Sequence, residues 1–257
     1  MPHILLLRLS APMQSWGVMS RFSRRDTGKE PSKSGVIGLL CAALGISRDE
    51  ANAENPFFAR LLKLKMGVRV IREGVLQSDY HTAQNIAKAD GGTKDTELST
   101  RFYLADADFV VGLEGDDLET LEAVQTALQN PKWQLFLGRK AFVPDLPVYF
   151  REGVLTIENS DESLKDFLQS DELNQILQKF DEEFGRQVKG NQPRRRLIIE
   201  DNEKGTETRQ DVPLSFAERR FTNRRVRTEF ISNKGEKSNG TLSDEDDFES
   251  ALAPGSV

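Results

Sequence analysis

FVVGLEGDDLETLEAVQTAL (residues 109–128) carries the pattern from which the fold can be argued. Phe109 to Leu113 alternates as a strand and runs out at Gly112 and Gly115. The next stretch, Asp116 to Leu128, has acids in its first turn (Asp116, Asp117, Glu119) and Leu118, Leu121, Val124 and Leu128 at helical spacing, with Pro131 just beyond. A similar pair opens the chain. His3 to Leu9 reads as a strand that is apolar on both faces around Ile4 to Leu7, as expected inside a sheet covered by helices. After a polar loop, Ser10 to Lys33, Ser34 is a plausible N-cap for a short buried helix, Gly35 to Leu44, stopped by Gly45. Leu64 to Arg72 reads as a further strand and Trp133 to Leu137 is strand-like. The order strand, helix, strand, strand, helix, strand is that of an α+β, ferredoxin-like unit, the arrangement also used by RNA-recognition (RRM-like) modules.

Between the second and third strands, Glu73 to Ala107 is too long for a tight hairpin loop. Aromatics on its flanks and Gly91-Gly92 at its centre suggest an extended β-hairpin arm standing off the domain. Farther on come an acidic helix-pair region, Ser163 to Phe184, and then an Arg-rich stretch. From residue 232 the chain is Gly, Ser, Asn and acid, a composition that cannot bury enough apolar surface to fold alone, so 232–257 is expected to be a disordered, solvating tail.

The 257 residues hold 41 acids and 35 bases, a net charge of −6. One cysteine, Cys41, excludes a disulfide framework and points to a reducing cytoplasm. No apolar run approaches the roughly 20 residues of a membrane span, so no membrane partner is expected. Two histidines and one cysteine leave no credible metal site, and no cofactor is implied. An acidic total argues against a nucleic-acid partner until it is sorted by position. Residues 8–34 carry six bases against two acids, and residues 186–227 twelve against six. The acids gather elsewhere: seven in 106–122, nine in 158–183 and seven in 228–257. If the two basic segments converge in space, they form a local positive surface able to displace counterions from a phosphate backbone. Lys33-Ser34 at a helix start would also suit a phosphate, although the glycine spacing is not that of a Walker loop.

Five blocks resemble the CasD family in the order that family has them. They are Leu-Arg-Leu-Ser-Ala-Pro-Met-Gln-Ser-Trp-Gly (7–17), Thr27-Gly28 to Leu40, Asp79-Tyr80-His81-Thr82, Ser99 to Ala107, and Leu137-Gly138-Arg139-Lys140. The resemblance covers about residues 1–231. It implies a RAMP-superfamily domain: a ferredoxin-like palm with a protruding β-hairpin thumb, about 73–107, and a C-terminal extension. It also implies a non-catalytic subunit of a type I-E CRISPR Cascade complex that grips the 5′ handle of the crRNA and caps the backbone filament. Its neighbours would be the backbone-forming subunit and the large PAM-reading subunit, with target DNA met only through the assembled complex.

Carried over position by position, the handle contacts are Gln14, Ser15, Trp16, Arg21, Arg24, Thr27, Lys33, Ser34, Tyr80, His81, Arg101, Arg139 and Lys140. Arg25, Arg219, Arg220, Arg224 and Arg225 are added on charge. Each has a plainer reading: Trp16 as a core or interface anchor, Tyr80 as a packing residue, Arg24 and Arg25 as solvated charges. A related branch of the superfamily cuts precursor crRNA without metal, so Tyr80 and His81 also invite comparison with an acid–base pair. Three readings therefore stand side by side: a crRNA-capping subunit, a metal-independent endoribonuclease, and a protein-interaction module with an RRM-like fold.

Overall fold

The computed structural model describes residues 1–17, 23–88, 90–158, 160, 162–186 and 194–232. The site expectation at Arg21 and the tail from 233 onward lie outside them. The chain opens with β1 (His3–Ser10), passes through two short strands, β2 (Met13–Gln14) and β3 (Arg24–Arg25), and enters α1 (Lys33–Leu44) and α2 (Pro56–Lys63). Then come β4 (Lys65–Arg72), the long hairpin β5 (Val75–Ala87) and β6 (Thr93–Ala105), β7 (Asp108–Gly115) and α3 (Leu118–Gln129). It closes with β8 (Tyr149–Thr156), α4 (Ser163–Gln169), α5 (Asp171–Glu183), β9 (Arg194–Glu200), β10 (Glu207–Ser215) and β11 (Arg220–Ser232).

Seven strands form one sheet in the order β10-β11-β9-β4-β7-β1-β8, antiparallel throughout. Alternation along the strands divides the core in two. Leu5, Leu7 and Leu9 of β1 and Phe109, Val111 and Leu113 of β7 face α1, α2 and α3. Ile4, Leu6 and Val110 face α4 and α5, with Phe150, Phe167, Leu168 and Phe180. Helices on both faces explain why β1 needs no polar alternation. Among the described residues, no helix is long and apolar enough to cross a membrane.

Three expectations are corrected. Helix α1 is capped by Ser32, whose Oγ accepts the Gly35 N–H at 3.2 Å, and not by Ser34; Gly45 ends it in the left-handed conformation as expected. Residues 133–137 form no strand. The Lys132 and Trp133 N–H groups donate to the Ala43 and Ala42 carbonyls at the end of α1, and Leu135 and Leu137 plug the core. The strand after α3 is β8, and the Arg-rich stretch supplies β9 and β11.

Below α5 lies a buried charge network. Arg8 of β1, 2% exposed, is bidentate to Asp108 of β7 at 2.7 and 2.8 Å and reaches Asp181 of α5 at 3.4 Å, while Arg186 reaches Asp108 at 3.1 Å. Burial, and after it Asp108 set against the pull of Arg8, pushes the Asp181 carboxyl above its ordinary value. The two acids therefore differ in what they do. Asp108→Asn, which strips the bidentate partner from a buried guanidinium, is expected to cost about 3 kcal/mol or more in urea unfolding, whereas Asp181→Asn stays within about 1 kcal/mol of the parent. Equal losses would contradict this assignment.

Candidate nucleic-acid interface

Strands β5 and β6 leave the body between β4 and β7. They are thirteen residues long each, and β5 is exposed along most of its length, with Val75 59%, Leu76 61% and Tyr80 66% exposed. Among the described residues, only the lower part of β6 has strand partners on its other edge. β2 pairs there through Met13–Ala105 and Gln14–Leu104, and β3 runs parallel to it through Arg24–Thr100 and Arg25–Arg101. Between these two short pairings, the Phe102 carbonyl lacks a strand partner. It accepts from Arg139 Nη2 at 2.9 Å and from Ser15 Oγ at 3.3 Å, and Arg139 Nη2 also donates to the Arg25 carbonyl at 3.3 Å. One guanidinium thus stitches the β3 loop to the hairpin.

The motif residues nearest β1 build the platform beneath. Gln14 is fully buried, and its Nε2 donates to the Leu9 and Ala107 carbonyls at 3.0 and 2.8 Å while its Oε1 accepts from Trp16 Nε1 at 3.1 Å. Trp16, 2% exposed, lies on Gly35 so closely that a Cβ there would stand 2.8 Å from its ring. Its backbone is tied twice: its N–H donates to Thr27 Oγ1 at 2.9 Å and its carbonyl accepts from Gly28 at 3.1 Å. Gly138, at φ 100°, lets the Leu137 carbonyl take the Ser15 N–H; a Cβ there would lie 1.9 Å from the Ser15 carbonyl oxygen.

On this platform the structure brings together Arg24, Arg25, Tyr80, Arg101 and Arg139, with Lys140 beside the last. Alternation puts them on two faces of one ribbon. Tyr80, cross-strand from Thr100, shares a groove with Ser23, Arg24, Leu98 and Phe102, and the Arg24 guanidinium lies 4.8 Å from the Phe102 ring centre. His81, Asp79 and Arg101 belong to the opposite face, with His81 Nδ1 3.5 Å from Asp79. Burial, then Arg101 and Arg25, lower the Arg139 pKa from its ordinary value, which records three like charges drawn together, with Asp79 and Asp26 offsetting part of the repulsion. Arg101 Nε donates to Ser99 Oγ at 3.1 Å and Arg139 Nη2 to two backbone carbonyls. Phe102, together with Ser23 and Thr100, is what sequence reading missed; the available signal was the period-two alternation around Tyr80.

Other expected contacts are committed elsewhere, which corrects the expectation that they present charge or polar groups to a ligand. Gln14, Trp16 and Thr27 are engaged as above. Lys33 is 2% exposed and its Nζ sits 2.9 Å from both Glu200 oxygens, while burial lowers its pKa against the pull of Glu200. The anion position at the start of α1 is filled by the protein itself, because the Lys33 N–H donates to Asp211 Oδ2 at 2.8 Å. Ser34 is half-buried beside Ser32, 3.4 Å between hydroxyls. Arg224, 4% exposed, is bidentate to Asp211 at 2.7 and 2.8 Å. Arg225 donates to the Asn202 and Gly205 carbonyls, and Arg219 and Arg220 stand at the β10–β11 turn, Arg220 paired with Glu218.

The second basic segment is therefore largely neutralised within the fold. Arg196 is bidentate to Glu73 at 2.6 Å and reaches Glu30 at 2.9 Å, Arg209 pairs with Glu30, and Arg227 pairs with Glu162, Asp201 and Glu229. Convergence of the two basic segments does occur, but through shared carboxylates and not as one cationic face.

The platform makes a stability prediction. Gly138→Ala, strained in φ and driven into a backbone carbonyl, is expected to lose about 2–4 kcal/mol, whereas Gly153→Ala, also at positive φ but with nothing within 4 Å of its Cβ, loses about 1 kcal/mol. Calorimetry of both variants checks the difference, and an equal effect would mean that the Ser15 contact matters little.

Comparison with known proteins agrees with this architecture. Residues 4–227 match the family described as CRISPR-associated protein (Cas_Cas5). The chain is 35% identical over 151 residues to the CRISPR system Cascade subunit CasD of Escherichia coli strain K12, covering 55% of this chain and 67% of that one. It resembles a solved Cas protein at 36% identity and TM-score 0.63, over 90% of this chain and 96% of the other. A chain of a CRISPR RNA-guided surveillance complex matches at 31% identity and TM-score 0.66, over 89% and 90%. The protein belongs to the CRISPR-associated Cas5 family.

Proposed function

We propose that this chain is a non-catalytic crRNA-binding subunit of a type I-E Cascade surveillance complex, holding the 5′ handle against its β5–β6 hairpin. The observation that carries the reading is a hairpin that presents Arg24, Tyr80 and Phe102 on one face and gathers Arg25, Arg101 and Arg139 on the other. Single-stranded RNA is held by guanidinium–phosphate contacts and by bases stacked on aromatic or Arg planes, and both kinds of group are presented here at neighbouring register positions. Residues 1–231 form the palm, since β4, β7, β1 and β8 with their intervening helices follow ferredoxin-like connectivity, and 73–107 form the thumb. The resemblance to a Cascade subunit and to a chain of an RNA-guided complex supports this reading. In it, the backbone-forming and large PAM-reading subunits cover the remaining faces of the hairpin and target DNA is met only through the assembly.

The endoribonuclease alternative is disfavoured by register. Tyr80 and His81 are consecutive residues of a regular strand, paired with Thr100 and Ser99, so they project to opposite faces and do not converge on one 2′-hydroxyl.

The test uses the full chain and a fluorescein-labelled eight-nucleotide single-stranded RNA. Binding is expected to weaken with salt at a log–log slope of about −3, as four cations on a single strand imply. Arg24→Glu with Arg25→Glu should cut affinity at least tenfold and flatten that slope, and Tyr80→Ala should cost about 1–3 kcal/mol of binding. A repeat hairpin should survive incubation in EDTA. Cleavage that His81→Ala abolishes would replace this reading with the nuclease one, and indifference to the arginine reversals would favour the interaction module.

A further inference from the structure

Strand β5 is an edge. Among the described residues it pairs only with β6, and its other side is open along VLQSDYHTAQN (75–85), a run with one carboxylate, Asp79, and no Lys, Pro or Gly. The outer strands of the seven-stranded sheet are better guarded. β10 carries Pro213 and is bridged at its end by Asn52 to Ser215, and β8 is interrupted by Gly153 at φ 73°. The far side of the ribbon tells which way the backbone of β5 points. The Thr100 N–H donates to the Ser23 carbonyl at 2.8 Å and the Phe102 carbonyl accepts from Arg139, so both residues turn away from β5. Their cross-strand mates, Tyr80 and Ser78, therefore sit in non-hydrogen-bonded pairs and turn their own N–H and C=O groups to the open edge. An exposed row of this kind is a template for an added strand.

What fits the template is the same strand of a second copy. Two-fold antiparallel pairing has to set outward-turned residues opposite one another, so the axis passes through a residue. At Asp79 it would oppose two carboxylates, and at His81 it would leave Asp79 facing Ala83. At Tyr80 it sets Asp79 against the partner's His81 twice over, Ser78 against the partner's Thr82, and the two Tyr80 rings side by side. Tyr80 is also the midpoint of 75–85, the run between the start of β5 and Asn85, where a φ of 52° breaks the extended backbone. One row across the pairing then reads Arg101, Asp79, the partner's His81, the partner's Ser99, with no like charges adjacent. We propose that the free chain forms a two-fold dimer through β5, with Tyr80 opposite the partner's Tyr80. The pairing joins two marginal ribbons into one continuous sheet and covers an edge otherwise open to indiscriminate strand addition. It involves no RNA and goes beyond the proposed function.

Sedimentation of the full chain tests this. Its mass is expected to rise reversibly to twice that of the monomer between about 1 and 200 μM. Ser78→Pro removes an outward N–H that β6 does not use, and is expected to weaken the dimer about tenfold or more while the circular dichroism stays unchanged. Asp79→Lys should weaken it as well, and adding His81→Glu should restore it, because the exchanged charges again face each other. Tyr80→Cys checks the register. Mild oxidation should give a covalent dimer, since residues on the axis lie about 5.5 Å apart between Cα atoms, whereas Leu76→Cys, with its two copies about 25 Å apart, should give none. The native Cys41 is buried and does not compete. A chain that stays monomeric at about 200 μM, a dimer indifferent to Ser78→Pro, or equal coupling at positions 76 and 80 would overturn the proposal.

Discussion

A two-stranded ribbon exposed on both faces is marginal in water, and most of the β5–β6 hairpin is such a ribbon. What holds it is the support given to the outer edge of β6 near its root. There β2, β3, Ser15 and Arg139 satisfy successive backbone groups, and Gln14, Trp16 and the Thr27-Gly28 turn fix the loops that bring them there. Removing that platform would leave an unsupported ribbon and scatter the arginines it carries. The placement of these arginines therefore depends on buried amide and indole hydrogen bonds.

This division of labour explains how the motif residues came to be misread. Gln14, Trp16, Thr27 and Lys33 lie in the most recognisable stretches of the chain, and a polar residue in a loop after a strand invites a ligand role. Their burial is set by groups far away in sequence: Ala107 for Gln14, Glu200 for Lys33, Asp211 for the first turn of α1. Nothing local announces those partners. By contrast, the exposure of Arg24 and Tyr80 was legible, because a strand pattern with polar residues on both faces has no core to enter.

The same contrast holds for the fold. β1, α1, β4, β7 and α3 follow from period and caps, since their neighbours in space only reinforce what the local pattern prefers. The hairpin follows from its length and its central glycines. The residues 133–137 did not, because alternating Leu135 and Leu137 serve a coil pinned to the end of α1 as well as they would serve a strand. β9 and β11 were hidden under arginine. In Arg194–Glu200, Leu197, Ile198 and Ile199 are buried while Arg196 finds Glu30 and Glu73, more than 100 residues away.

Net charge alone therefore predicts little about what this surface binds. Of the two basic segments, one is largely neutralised by carboxylates brought in by the sheet, and in the other Arg8 and Lys33 are likewise paired while Arg24 lies over the Phe102 ring of its strand partner, β6. Burial, and after it the neighbouring Arg101 and Arg25, lower the pKa of Arg139. A phosphate placed among them would offset that repulsion. Stacking Arg24 on Phe102 and hydrogen-bonding Arg139 to two carbonyls adds a second advantage, because side chains already ordered lose less entropy when an anion arrives. An overall acidic chain is compatible with such a site: at physiological salt, exposed charges beyond about 8 Å are largely screened, and an anion at the hairpin responds mainly to the guanidinium groups it touches.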